Sequence, residues 1–113
     1  MAQQRSLLAI FAHPDDESYG TAGTLATYAS RGVEVRLICA TKGEAGMIGN
    51  PALAYRDNLG AVREEELREA CRAMGIHQPQ MLGYRDSGMA GTKENRDPQS
   101  LNMAPPEEVI GKL

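Results

Sequence analysis

The stretch SLLAIFAHPDDE, residues 6–17, decides how this chain can fold. Its first part, residues 6–12, is a nearly continuous apolar run, which is typical of a strand covered on both faces of a sheet. A polar cluster at residues 13–17 follows at once, and the chain then changes to a helical pattern. Open α/β sheets place their sites where a strand ends and a helix begins. The stretch therefore predicts a strand with a functional site at its carboxyl end.

Two side chains of this polar cluster are good metal ligands. The imidazole nitrogen of His13 and the carboxylate of Asp16 both suit Zn²⁺. Asp15 lies between them in sequence and is placed to accept a proton from water activated by the metal. The competing interpretation is an ordinary helix start, with an Asp as the N-cap and Glu17 in the first turn. The His-Pro pair directly after an apolar strand favours the metal site over the ordinary helix start.

The next elements predict that a second loop joins this site. A helical repeat from Ala22 to Ala29 is ended by Arg31-Gly32, and residues 33–40 read as a second strand. Strand, helix and strand make a βαβ unit, whose crossover is almost always right-handed. Because the carboxyl ends of parallel strands meet at one sheet edge, we expect residues 41–44 to lie beside the polar cluster.

The remainder of the chain predicts a further helix and strand. A third strand is expected over residues 79–84, followed by a return to the active edge over residues 85–92 and a polar loop over residues 93–102. A last helix opens at Pro105. The longer helix before the third strand is expected over residues 58–74, ended by Gly75 as its C-cap, with the buried stripe Leu67, Ala70, Cys71 and Met74.

These elements predict a Rossmann-like three-layer α/β sandwich with a mainly parallel sheet. The last helix should feed a further strand, and such sheets commonly continue to about five strands. We therefore expect residues 1–113 to be the N-terminal part of one larger domain, truncated after its third strand. An unpaired sheet edge would then allow self-association.

Composition narrows the classes of function. The net charge is −3 at pH 7 and basic residues are interleaved with acids, so there is no electrostatic footprint for nucleic acid. We expect neither a membrane-spanning segment nor a secretory leader, because the N-terminal apolar run is short and acidic residues follow it, and we therefore expect a cytoplasmic protein. Cys39 and Cys71 form no CxxC pair and are expected to be reduced and buried.

Three segments resemble one known family. Residues 12–17 look like the signature of the PIG-L/LmbE-type zinc-dependent N-deacetylases, which remove acetyl groups from N-acetylglucosamine conjugates. Residues 41–46 and 84–92 are similar to further family segments, and the latter most closely to the branch with the mycothiol-pathway deacetylase and the mycothiol conjugate amidase. The resemblance implies one Zn²⁺ held by His13 and Asp16. The family's later His motif, which supplies the third ligand, has no counterpart here.

The resemblance also implies roles for other residues. Asp15 would be the general base that takes a proton from water and later protonates the leaving amine. Contacts to the substrate, chiefly to sugar hydroxyls, are implied for Glu44, Arg63 and Asp86. Arg63 has an alternative interpretation as a solvated helix residue among charged neighbours. The other histidine, His77, is expected at the opposite sheet edge.

The expected function is therefore zinc-dependent hydrolysis of the acetamide of an N-acetylglucosamine conjugate, with a small amino-sugar conjugate as the partner. One alternative is a truncated, catalytically incompetent fragment that binds a sugar or a partner, which the missing third ligand favours. A second is metal-dependent phosphoester hydrolysis, because carboxylates also hold Mg²⁺. A histidine ligand and the lack of a phosphate-binding loop argue against this second alternative.

Overall fold

The structure, a computed structural model, describes residues 5–14, 16, 20–43, 58–88 and 90–113. Three parallel strands form one sheet in the order β1-β2-β3. Helix α1 connects the first two strands and helix α2 precedes the third. The elements are β1 (Ser6–Phe11), α1 (Ala22–Ser30), β2 (Glu34–Thr41), α2 (Leu59–Met74), β3 (Gln80–Tyr84), two 3₁₀ turns (Glu94–Arg96 and Leu101–Met103) and α3 (Pro106–Lys112).

The core lies between one face of the sheet and helices α1 and α2. Apolar residues of β2 form the centre of this core, because β2 has a strand on each side. Both cysteines are buried and form no disulfide, as the sequence predicted. Gly75 ends α2 in the left-handed conformation, at φ 75°, which confirms the predicted C-cap. The buried cluster consists of Leu25, Val35, Leu37, Cys39, Leu67, Cys71 and Ile76.

The first strand differs from its prediction. Residues of β1 alternate between exposed and half-buried, and the side chains of Leu8 and Ile10 remain 52% and 47% exposed. The reason is position: of the described strands, β1 pairs only with β2, and the helices pack on the face that carries Leu7, Ala9 and Phe11. An apolar run was therefore the wrong indicator of two covered faces.

Smaller differences occur at β2 and beyond β3. Strand β2 begins and ends one residue later than expected, and the predicted loop over residues 93–102 contains the two 3₁₀ turns. Strand β3 also carries an irregularity opposite β2, with Gly83 at φ 88°. Helix α3 docks onto β3, because the Tyr84 hydroxyl donates to Glu108 Oε2 at 2.7 Å.

In the ranges that the structure describes, no helix is long and apolar enough to cross a membrane. The sheet with its flanking helices is the Rossmann-like α/β architecture that the sequence predicted. His77 lies at the amino end of β2, where its backbone N–H donates to Val35 and its ring stands 3.5 Å from Glu34. That end is opposite to the polar cluster, so His77 takes no part in the site.

Candidate active site

The loops after β1 and β2 are joined directly. The carbonyl oxygen of Ala12 accepts hydrogen bonds from the backbone N–H of Thr41 at 3.1 Å and from its hydroxyl at 2.8 Å. That hydroxyl in turn accepts the N–H of Gly43 at 3.2 Å. Residues 41–44 were expected at this edge, but no role was predicted for the Thr41 hydroxyl, although a hydroxyl residue at the end of an apolar strand, just before a glycine loop, was a visible signal. The predicted meeting of the two loops is confirmed.

His13 is held by a carboxylate at each ring nitrogen. Its Nδ1 lies 3.2 Å from Asp16 Oδ2, which also accepts the backbone N–H of His13 at 3.0 Å. Its Nε2 lies 3.1 Å from Oδ1 of Asp86, a residue that follows β3. The structure therefore brings together three of the residues singled out in the sequence, from the ends of two strands.

The spacing of the hydrogen-bonded pair His13 and Asp16 also suits two ligands of one zinc ion. Two ligands of a tetrahedral zinc stand about 3.3 Å apart, because each lies about 2.0–2.2 Å from the metal. The distance of 3.2 Å between Nδ1 and Oδ2 matches this value. The two side chains are 43% and 36% exposed, so water can reach the pair. Among the described residues no group of three His, Cys, Asp or Glu side chains could hold a metal ion.

Arg63 reaches from α2 to both loops. Its Nη2 donates to the carbonyl of Pro14 at 3.0 Å, and its Nη1 lies 3.5 Å from the carbonyl of Gly43. Gly43 adopts φ 69°, and a Cβ at that position would stand 3.0 Å from the guanidinium. Arg63 therefore links the backbone of the polar cluster to the loop after β2. Its predicted contact with substrate stays a prediction.

Glu64, beside Arg63, anchors the same region by charge. Its carboxylate lies 3.4 Å from Lys42 Nζ and 3.2 Å from Arg68 Nη2. Burial raises the pKa of Glu64, but the hydrogen bonds and charges of Arg68 and Lys42 outweigh that effect and hold the pKa below its usual value. The ionised Glu64 thus ties Lys42, just after β2, to α2.

Two of the predicted site residues lie outside the described residues. Asp15, the expected general base, and Glu44, an expected substrate contact, belong to this group. Their roles stay predictions. The neighbours of Asp15 in the chain are nevertheless placed, since His13, Pro14 and Asp16 are all described.

Fold and site together define a class of protein: a Rossmann-like α/β domain with a His–Asp pair at the carboxyl edge of a parallel sheet. The comparison with family models agrees with this class. The chain belongs to the PIG-L family, whose model is described as GlcNAc-PI de-N-acetylase and matches residues 8–109.

Curated relatives are named as deacetylases of glucosamine conjugates. The probable N-acetyl-alpha-D-glucosaminyl L-malate deacetylase 2 of Bacillus anthracis is 47% identical over 87 residues, which cover 76% of this chain and 38% of the relative. The 1D-myo-inositol 2-acetamido-2-deoxy-alpha-D-glucopyranoside deacetylase of Actinosynnema mirum is 43% identical over 116 residues, which cover 95% of this chain and 41% of the relative. The chain thus spans about two fifths of the length of these relatives.

Solved structures show the same fold. The N,N'-diacetylchitobiose deacetylase from Pyrococcus horikoshii, in complex with an inhibitor, superposes with a TM-score of 0.65 at 34% identity. The match covers 81% of this chain and 34% of that protein. The 4-carboxy-2-hydroxymuconate hydratase from Pseudomonas putida reaches a TM-score of 0.68 at 19% identity, covering 96% of this chain and 40% of the hydratase. This second likeness concerns the fold alone.

Proposed function

We propose that this chain supplies part of the active site of a zinc-dependent N-deacetylase that hydrolyses the acetamide of an N-acetylglucosamine conjugate. The observation that carries the proposal is the His13 Nδ1–Asp16 Oδ2 pair, 3.2 Å apart and open to water at the carboxyl edge of the sheet. The names of the relatives support the substrate class, because they act on glucosamine conjugates of malate and of inositol.

Hydrolysis of an acetamide needs catalysis of two steps. The amide carbonyl is a poor electrophile, so attack on it must be activated, and the amine is a poor leaving group, so its nitrogen must be protonated. A zinc ion held by His13 and Asp16 would supply a Lewis acid and lower the pKa of water near the carbonyl. Asp15 precedes Asp16 in the chain and is proposed to take the proton of the attacking water. It would then pass that proton to the nitrogen of the leaving amine.

The proposed contacts to the sugar are Glu44, Arg63 and Asp86. Carboxylates accept hydrogen bonds from hydroxyl groups, and a guanidinium donates several in a fixed geometry. Arg63 donates to the carbonyl of Pro14, the residue that follows His13, and this contact supports a role for its guanidinium near the proposed site. We expect the substrate to bind over this group, with its acetamide towards His13.

A second candidate is a module that binds an amino sugar or a partner without turnover. It is favoured by the absence, among the described residues, of any group of three His, Cys, Asp or Glu side chains that could hold a metal ion. The two candidates differ in a measurable way. Both predict affinity for the sugar, but only the deacetylase predicts acetate release.

The test is a chimera in which this chain replaces the matching N-terminal part of the Actinosynnema mirum deacetylase. After gel filtration we expect about one zinc per molecule and release of free amine from an inositol or malate conjugate of N-acetylglucosamine. His13→Ala should remove both properties, and His77→Ala, at the opposite sheet edge, should leave both unchanged. Zinc retention by a folded chimera that carries His13→Ala would overturn the proposal. A chimera that binds the sugar conjugate but releases no amine would favour the second candidate.

A further inference from the structure

We propose that Asp86 is a positioning residue, whose carboxylate orients His13 so that Nδ1 presents its lone pair to the metal beside Asp16. This inference rests on the proposed function of the His13–Asp16 pair. It assigns Asp86 a role in addition to the predicted contact with a sugar hydroxyl. The evidence is that two carboxylates, those of Asp16 and Asp86, contact one imidazole ring.

The two carboxylates contact opposite nitrogens of the ring. Asp86 Oδ1 lies 3.1 Å from Nε2, and Asp16 Oδ2 lies 3.2 Å from Nδ1. A neutral imidazole carries one N–H and one lone pair. It can therefore donate to only one of these carboxylates, and the other nitrogen is left to bind a metal. The site must select which carboxylate receives the proton.

Burial makes that selection. The side chain of Asp86 is only 6% exposed, whereas that of Asp16 is 36% exposed. A catalytic zinc keeps one coordination position for water or substrate. A metal beside the nearly buried Asp86 would have less room for this water than a metal beside Asp16, because both His13 and Asp16 are partly exposed. The proton accordingly belongs on Nε2, as an N–H that donates to Asp86, which is the usual arrangement behind a metal-bound histidine.

The carboxylate of Asp86 is itself held in place. Its Oδ1 also accepts the backbone N–H of Gly88 at 3.3 Å. The preceding residue, Arg85, donates its N–H to Gln99 at 2.9 Å and accepts the N–H of Leu101 at 3.0 Å. Asp86 is thus fixed from both sides by backbone hydrogen bonds. A fixed acceptor can impose one orientation on the ring of His13.

The first test needs no substitution. We would add zinc to the full chain labelled with ¹⁵N and follow the two ring nitrogens of His13. We expect the Nδ1 resonance to move to the shift of a metal-bound nitrogen, while Nε2 keeps a directly bonded proton. A metal-bound Nε2 would make Asp86 a ligand and overturn the inference, and so would the absence of any zinc-dependent change at His13.

The second test compares zinc affinities of variants that keep a native amide spectrum. Asp86→Ala should weaken zinc binding about 10- to 100-fold. Asp86→Asn should weaken it less, because the amide oxygen can still accept from Nε2–H. The matched control is Asp97→Asn in the same segment, since Asp97 contacts Arg85 and Gln99, and it should bind zinc as the unaltered chain does.

The outcomes separate this inference from the proposed function. Unchanged affinity in Asp86→Ala, together with lost affinity in His13→Ala, would overturn only the role of Asp86. Unchanged affinity in His13→Ala would overturn the metal site itself. An equal loss in Asp86→Ala and Asp97→Asn would show that the segment acts through folding, which would also overturn the inference.

Discussion

The guanidinium of Arg63 donates to the backbone carbonyl of Pro14, with 3.0 Å between Nη2 and the oxygen. Pro14 is fully buried and lies directly after His13. A side chain of α2 therefore fixes the backbone from which the proposed metal ligands project. This relationship makes the geometry of the site depend on a helix that contributes no ligand of its own.

Arg63→Lys should lower the free energy of unfolding by about 1–3 kcal/mol, because an ammonium group cannot reproduce the fork of the guanidinium and a buried carbonyl loses its donor. Urea denaturation would measure the loss. Arg72→Lys is the control, since Arg72 is an exposed residue of the same helix that pairs with Glu65. Equal losses in the two variants would contradict a special role for Arg63.

Gly43→Ala should destabilise the chain for two reasons, its φ of 69° and a Cβ placed 3.0 Å from the Arg63 guanidinium. The backbone part costs about 1–3 kcal/mol. Gly32→Ala is the matched control, because Gly32 has φ 85° with nothing within 4 Å of its Cβ. The loss of stability in Gly43→Ala beyond that in Gly32→Ala should disappear when Arg63→Ala is added. If this excess persisted, the added Cβ would be in conflict with a group other than Arg63.

Stability should depend on pH through Glu64. The folded pKa of Glu64 is lowered from its ordinary value of 4.5, so its contribution is fully present above that value and is lost as the pH falls through the lowered pKa. Glu64→Gln should therefore reduce the free energy of unfolding near neutral pH, by at most about 1 kcal/mol for a half-exposed pair. The difference should vanish in acid.

Urea denaturation of the unaltered chain and of Glu64→Gln, at neutral pH and in acid, would measure this dependence of stability on pH. Glu69→Gln, an exposed residue of the same helix, is the control and should change stability little at either pH. A Glu64→Gln difference that grew on acidification would contradict a lowered pKa of Glu64 in the folded chain.

The isolated chain is expected to associate with itself. Leu8 and Ile10 expose apolar side chains on β1, which has one neighbouring strand among those described. Apolar edge strands are common sites of association. Leu8→Lys with Ile10→Lys should shift the sedimentation profile towards the monomer. Tyr28→Lys, at an exposed position of α1, should leave the sedimentation profile unchanged. An identical shift in this variant would show that the added charge, and not the loss of apolar surface on β1, reduces association.

The local elements could be predicted from the sequence because their signals are local. The helical repeat of α2 and the glycine that ends it lie within 17 residues of one another in the chain. His13 and Asp16 are only three positions apart. The contact between His13 and Asp86 joins residues 73 positions apart across a sheet, so no local pattern fixes it. Strand β3, which precedes Asp86, also carries an irregularity at Gly83 that was not predicted from the sequence.

Arg63 and β1 show two other limits. The partners of Arg63 are backbone carbonyls, which every residue has, so residue types cannot identify them. The exposure of Leu8 and Ile10 depends on which face the helices cover, and an apolar run contains no information about that choice. Both features follow from tertiary packing alone.

Asp16 is proposed to hold the metal while Asp15 moves the proton, and one pair of substitutions tests this division of roles most directly. In the chimera with the Actinosynnema mirum deacetylase, zinc per molecule and amine release would be measured for Asp15→Asn and Asp16→Asn. We predict that Asp15→Asn keeps its zinc and loses turnover by about a hundredfold or more, whereas Asp16→Asn loses both. Loss of zinc in Asp15→Asn, with zinc retained in Asp16→Asn, would show that Asp15 is the ligand and would contradict these two roles.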